Sequence, residues 1–287
     1  MDDLTLSELR VLVAVERERG FSSAAMDLGL TQSAVSHAVR AAERKIGTVL
    51  FQRGRHGAAP TPAGEVVAGH ARRVLRMLEV MKAEAYGASG GPVTGTIRLA
   101  AFRSAAFHLL PTALARFGAR HPKVTVDVRI VRDIGRGIAG EVLDGRADIG
   151  VTTLPVHVDG LVVKELFAEP YVFAYPAGHP DPRCLPIIDW HENCSAETSR
   201  WWKRQEWLPA GQMTVEDDGV LVSMVGHGLG AAIVPLLSLI GCSAKVATEE
   251  LGSEPPMRSV GYVTTGEMTG WSVLRDLIAE LRAMRGS

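Results

Sequence analysis

Thr31, Gln32, Ser33, Ser36, His37 and Arg40 gather hydroxyl, amide, imidazole and guanidinium groups into one short stretch of the chain. These groups can read a nucleic-acid duplex. Arginine donates two bonds to a guanine edge, Ser and Gln bond base edges or phosphates, and His can do either. With Ser33 as origin and about 100° per residue, Val35, Val39, Ala42 and Ile46 fall on one side of a helix. Ser33, Ser36, His37, Arg40 and Arg44 fall opposite. A polar outer face alone describes any solvated amphipathic helix, so its surroundings decide. Between Val39 and Arg55 the basic residues Arg40, Arg44, Lys45, Arg53 and Arg55 face only Glu43, although the net charge of the chain is -1. The positive charge is local, where a polyanion contact would need it.

Competing chemistries are poorly represented. Gly226, Gly228 and Gly230 spell G-x-G-x-G, but no Walker lysine follows, and a packing turn explains them better. No G-x-S-x-G nucleophile motif occurs, and the nine histidines lack metal-ligand spacing. Cys184, Cys194 and Cys242 form no C-x-x-C pair. Trp201, Trp202 and Trp207 read as packing residues. The chain is therefore expected to be no enzyme and to hold no metal or resident cofactor.

The elements that must position the polar helix are legible. Thr5-Leu6-Ser7-Glu8 has the form of a capping box, and Gly20 is expected to stop the first helix. Ser22 is expected to cap a second, Ser23 to Leu28, with Gly29 as the turn. Thr31 caps the third, which runs to Ile46 before Gly47. A short helix, a glycine turn and a polar-faced helix match helix-turn-helix geometry. A long helix follows from Thr61 to about Tyr86, with Val67, Ala71, Val74, Leu78, Met81 and Ala85 at the 4-3 spacing of a coiled-coil seam.

Beyond it, strands and helices alternate in β-α-β-α-β order, which predicts a parallel sheet with covering helices. A second set follows, with strands expected over Val162 to Leu166 and Tyr171 to Ala174. The expected division is a DNA-binding domain over 1–60, a linker helix over 61–86, a hinge over 87–92 and an α/β domain over 93–287. Apolar residues at 46% and charged residues at 22% supply a globular core without a disorder signature. The first residues lack the basic and apolar regions of a signal peptide. The run Leu229 to Ile240 is too short to span a bilayer, so a cytoplasmic protein without a membrane partner is expected.

The segment FSSAAMDLGLTQSAVSHAVRAAERKIGTVLFQR, followed by PTPAG, resembles the DNA-binding domain of the LysR-type transcriptional regulators. LLPTALARFGARHPKVTVDV, GRADIGV and VSMVGHGLGAAIVP resemble the effector-binding domain of the same family. The resemblance implies an α/β protein: an N-terminal winged helix-turn-helix, a linker and dimerisation helix, and a two-lobed effector domain similar to periplasmic binding proteins. Lobe I would cover about 93–165 and 261–287, and lobe II about 166–260. Thr31 to Arg40 would read the major groove of double-stranded DNA, and a wing over Arg53 to Pro60 would bring Arg53 and Arg55 to the flanking backbone or minor groove. His37 stands where an arginine is common in the family, and Ala42 where leucine is usual. A homo-oligomer, dimer or tetramer, is implied.

In the implied fold, ligands sit at the carboxyl ends of strands and at helix N-termini. Arg103 and Ser104 after the first strand, Thr152 after the third, and Cys194 with the His227 turn are the candidates for a small-molecule effector. Arg103 suggests a carboxylate, while Ser104 could equally cap its helix. Two alternatives stay open: a solute-binding module whose N-terminal helices contact proteins, and a thiol-based redox sensor acting through Cys194.

Overall fold

The computed structural model describes residues 3–54, 57–191, 201–205, 213–241 and 245–284. The chain forms two compact units: Met1–Gly95 with Glu141–Ala147, and Thr96–Gly140 with Asp148–Ser287.

The first unit contains α1 (Leu6–Glu18), α2 (Phe21–Leu28), α3 (Gln32–Ile46), the hairpin β1 (Phe51–Gly54) and β2 (Gly57–Pro60), and α4 (Pro62–Ala88). The capping box at the start of α1 is reciprocal: the Thr5 hydroxyl accepts from Glu8 N, and the Glu8 carboxylate accepts from Thr5 N at 2.7 Å. Glu8 also receives Lys45 Nζ at 2.8 Å, which ties the start of α1 to the end of α3. Val11, Leu12, Val15, Ala24, Ala25, Val35, Val39, Ala42, Leu50 and Phe51 form the core beneath.

Two expected boundaries move here. Arg19, not Gly20, ends α1 in a left-handed conformation with φ 53°, and α2 begins at Phe21, before Ser22 could cap it. The wing explains the change. Ala58 N donates to the Arg19 carbonyl at 2.7 Å, and a Cβ on Gly57 would lie 2.2 Å from that oxygen. A tertiary hydrogen bond thus fixes Arg19 where local propensity would have chosen the glycine. The long helix continues to Ala88, past the expected start of the hinge.

The second unit is a mixed sheet with helices. Its elements are β3 (Gly95–Ala101), a wide helical turn Ala105–Leu109 leading into α5 (Leu110–Arg120), β4 (Val124–Ile130), α6 (Gly137–Leu143) and β5 (Ile149–Leu154). Then come β6 (Leu161–Pro176), β7 (Ile188–Trp190), β8 (Met213–Val215), α7 (Asp218–Gly226), β9 (Ala232–Pro235), β10 (Val246–Glu250), β11 (Met257–Thr265) and α8 (Ser272–Ala283). The strand order is β10-β6-β11-β5-β3-β4, with β9 also on β6. β3 runs parallel to β5, as the β-α-β order predicts, whereas β11 is antiparallel to both β5 and β6, so the sheet as a whole is mixed.

β6 is one strand of 16 residues where two were expected. Pro170 stays in the ladder opposite Met257, because Tyr171 N points to the β11 side, at the Pro256 carbonyl, and β9 joins the other side of β6 only from Tyr171 onward. A missing donor on that side therefore costs no ladder bond. β6 changes neighbours along its length: it pairs with β11 over Leu161 to Pro170, and with β9 and β10 beyond. β6 and β11 thereby join a lobe built on β3, β4 and β5 to a lobe built on β7 to β10 and α7.

Candidate nucleic-acid interface and effector cleft

Helix α3 is held at both ends. The Thr31 hydroxyl accepts from Ala34 N at 3.2 Å, and Gly47 closes the helix at φ 84°. Glu43 reaches from its inner edge to accept from Leu50 N and Phe51 N, which fixes the wing strand relative to the helix. Val35, Val39 and Ala42 are buried, whereas Thr31, Gln32, Ser33, His37, Arg40 and Arg44 are exposed. Ser33 Oγ lies 3.0 Å from the Thr31 hydroxyl. Arg40 Nε donates to the Ser36 carbonyl at 3.3 Å, one turn back, and this steadies the side chain.

Ser36 corrects the sequence-based assignment. It is 4% exposed and receives Gln32 Nε2 at 3.4 Å instead of standing on the open face. On the helical wheel Ser36 lies only about 60° from Val39, at the flank of the apolar stripe. Arg53 stands in β1 opposite Ala58, and Arg55 lies outside the described residues.

In the second unit, Phe102, Arg103 and Ser104 leave the carboxyl end of β3. The parallel register Ala101↔Val151 places Thr152 at the neighbouring strand end. Ser104 sits in helical conformation and caps nothing with its side chain. Instead its hydroxyl lies 3.4 Å from Arg258 Nη2, whose guanidinium also faces the Phe102 ring at 4.8 Å. Arg258 donates through Nε and Nη2 to Glu169 at 2.8 and 2.6 Å, and Glu169 accepts Leu237 N at 2.5 Å. Arg258 and Glu169 are opposite each other on β11 and β6 and both 6% exposed, so one buried pair touches the loop after β3 and the turn after β9.

Thr152 is 1% exposed and donates to the Asp133 carboxylate at 2.9 Å, which Thr153 N also reaches at 2.7 Å. Burial pushes the Asp133 carboxyl above its ordinary range, against the opposing hydrogen bonds from Thr153, Thr152 and Ile138. Burial likewise lowers His108 in the helical turn beside Arg103. Arg103 is paired: Nη1 donates to Asp217 at 2.8 Å, and Nε lies 3.7 Å from Asp218.

Arg103, Ser104 and Thr152 are thus brought to adjacent strand ends. His227 is not with them. It is exposed at the C-terminal end of α7, with Nδ1 at 2.7 Å from the Ser223 carbonyl, while Asp217 marks the opposite end. The length of α7 separates the two ends by roughly 13 Å. Cys194 and Cys242 lie outside the described residues, and Cys184 is exposed with Sγ on the Asp181 carbonyl. Sequence reasoning missed Asp133, Glu169, Asp217, Asp218 and Arg258. Only Asp217 carried a usable signal, as an acidic residue ahead of an apolar helix. Among the described residues no His, Cys, Asp and Glu cluster could hold a metal, and no helix is long and apolar enough to cross a membrane.

Residues 6–65 match the model of the bacterial regulatory helix-turn-helix protein, lysR family, and residues 90–285 match the LysR substrate binding domain. The chain belongs to the LysR family. It is 35% identical over 260 residues to the probable HTH-type transcriptional regulator LrrA of Synechococcus elongatus, covering 86% of each protein. It is 35% identical over 176 residues to a probable hydrogen peroxide-inducible genes activator of Mycobacterium xenopi, covering 61% of this chain and 92% of that protein. Among solved structures, a full-length OxyR variant from Pseudomonas aeruginosa matches with a TM-score of 0.76 at 20% identity, covering 98% and 96% of the two chains. Full-length CbnR complexed with its target DNA matches at 0.67 and 19%, covering 98% and 99%. At such identity these two structures show the fold. This LysR-family chain is a DNA-binding transcriptional regulator with an effector-binding domain.

Proposed function

We propose that α3 lies in the major groove of double-stranded DNA, with Gln32, Ser33, His37 and Arg40 at base edges and Thr31, Arg53 and Arg55 on phosphates. The carrying observation is the exposed polar face of α3, fixed from behind by Val35, Val39 and Ala42 and capped at both ends. A homo-oligomer pairs along α4, where Val74, Met77 and Met81 of the seam helix are 46%, 36% and 55% exposed. Two recognition helices related by a two-fold axis would read two half-sites. A small-molecule effector, a carboxylate by the presence of Arg103, binds where Ser104, just past β3, and Thr152, on the neighbouring β5, come together, and its binding shifts the protein between states of different operator affinity. The protein acts in the cytoplasm and catalyses no reaction. In support, full-length LysG from Corynebacterium glutamicum, similar with a TM-score of 0.69, holds a bound effector Arg.

A gel shift on the upstream region of its own operon, run at several salt concentrations, tests the DNA reading. Binding that weakens steeply with salt supports it, and no preference for that region over unrelated duplex rejects it. The relatives named as hydrogen peroxide-inducible activators support a second reading, in which Cys194 senses oxidant. Peroxide would then change the gel shift of the wild type but not of Cys194→Ser.

A further inference from the structure

Arg103 is the one guanidinium of the cleft loop that reaches solvent, and the protein already supplies it with a carboxylate. Its side chain is 39% exposed and that of Asp217 is 30% exposed, whereas the Arg258–Glu169 pair next to it is 5% and 7% exposed. The two pairs differ in kind. The buried pair cannot be parted without stranding a charge, while the open one is screened by salt and exchanges readily.

The two oxygens of Asp217 do separate jobs. Oδ1 accepts Gly219 N at 2.8 Å and Val220 N at 3.0 Å and so caps α7. Oδ2 takes Arg103 Nη1 at 2.8 Å, from 114 residues away in the chain. The guanidinium lies on bare backbone at the helix start: a Cβ on Gly219 would fall 2.5 Å from Nη2 and 2.8 Å from Cζ. A cation at this end of a helix is opposed by the dipole, so the carboxylates of Asp217 and Asp218, with the Phe107 ring 4.9 Å from Cζ, hold it there. The other oxygen of Asp218 accepts the Ser238 hydroxyl at 2.7 Å.

We infer that Asp217 occupies, on Arg103, the place of an anionic effector, and that an incoming carboxylate acts by displacing it. The inference rests on the cleft reading proposed above and adds the residue that sets its affinity. Exchange is one carboxylate for another on the same guanidinium, with no net change in charge pairing at Arg103. It releases the loop after β3 from the start of α7, while Arg258 and Glu169 keep the two lobes joined at β6 and β11. Asp217 thereby sets the effector concentration at which the regulator responds.

Asp217→Asn tests this without disturbing the helix. Asn caps as well as Asp, its oxygen can keep the Gly219 and Val220 amides, and its amide nitrogen cannot accept from Arg103. The full-length protein is titrated with sodium acetate against sodium chloride at constant ionic strength, and half-saturation is read from the rise in Tm. Methylammonium chloride is the opposite-charge control. The expected result is half-saturation by acetate at about three- to fivefold lower concentration in Asp217→Asn than in wild type, the size set by an open ion pair, with no gain for methylammonium.

Equal half-saturation in the two proteins, weaker binding in the variant, or no saturable acetate response in either overturns the inference. Ser104→Ala separates the two levels. If it abolishes a wild-type response that Asp217→Asn leaves unchanged, the cleft stands and the role of Asp217 falls. If acetate saturates neither wild type nor any variant, the carboxylate reading of the cleft falls too. Asp217→Ser, another uncharged cap, repeats the measurement should the asparagine variant lose its fold.

Discussion

The recognition helix and the loop after β3 carry the same kinds of side chain, yet their surroundings are opposite. On α3, the hydroxyls of Thr31 and Ser33, the Gln32 amide and Arg40 find partners two to four residues away, and the face they share is open. In the cleft loop, Arg103 and Ser104 find partners 114 and 154 residues away. A surface meant for a large, rigid polyanion can be kept in order locally and left bare. The loop after β3 is ordered by residues from several elements, and these satisfy one another.

The largest effect expected from this contrast is at Arg258. Arg258→Met strands Glu169 in a buried site, a change that costs about 3–5 kcal/mol. Thermal unfolding of the full chain should show a large drop in the transition of the second unit. Arg258→Met with Glu169→Leu should recover much of that loss, since an apolar pair of similar volume is often tolerated where a lone charge is not. If the double variant is as unstable as the single, the Leu237 amide or the Ser104 contact, and not the ion pair, carries the stability.

The same contrast explains what the sequence shows and hides. Caps and periodicity are local, so Thr5, Glu8, Thr31, Gly29 and Gly47 could be assigned their roles from the residues alone. Arg19 could not, because the bond that holds it comes from Ala58 in the wing. The order of elements in the second unit was readable, but β6 was read as two strands because its change of neighbours at Pro170 and Tyr171 is a tertiary fact. The strand ends were readable too, and the parallel register of β3 and β5 brings the segments of Ser104 and Thr152 side by side. Asp133, Glu169 and Arg258 were missed because nothing in their local sequence says that folding will bring them there.

Next in size is the pair Arg40→Ala and Ser36→Ala, which divides α3 at its apolar border. Arg40→Ala should lose about 1–3 kcal/mol of specific operator binding. Ser36→Ala should leave operator affinity within about twofold, because its hydroxyl is buried against Gln32. Fluorescence anisotropy on one operator duplex compares both variants with wild type. Equal losses would mean that the groove is entered from the Ser36 flank, and the outer face would have to be rotated by about one side chain. Thr31→Ala should cost about 1 kcal/mol of stability in the first unit by removing the cap on Ala34 N. A thermal melt of the variant with and without operator distinguishes this loss from a lost phosphate contact, which would weaken binding without lowering the Tm of the free protein.

The smallest effect concerns acid. Burial tends to raise the Glu8 carboxyl, but hydrogen bonds from Lys45 and from the Thr5 backbone and hydroxyl outweigh it, and its pKa in the folded protein is lowered. A carboxylate whose folded pKa lies below its unfolded one adds stability that is fully present above the unfolded value. That stability is lost as pH falls through the folded value. Glu8→Gln keeps a side chain that can still return to the Thr5 amide, since Gln also closes a capping box, so the substitution removes only the charge. The variant should be less stable than wild type at neutral pH by under about 1 kcal/mol, as suits a pair with a partly exposed lysine. The difference should shrink toward zero as the wild-type carboxylate is protonated. Urea unfolding at neutral pH and at a series of acidic pH values measures it. A gap that persists unchanged in acid would show that Glu8 acts through the geometry of the box and not through its charge on Lys45.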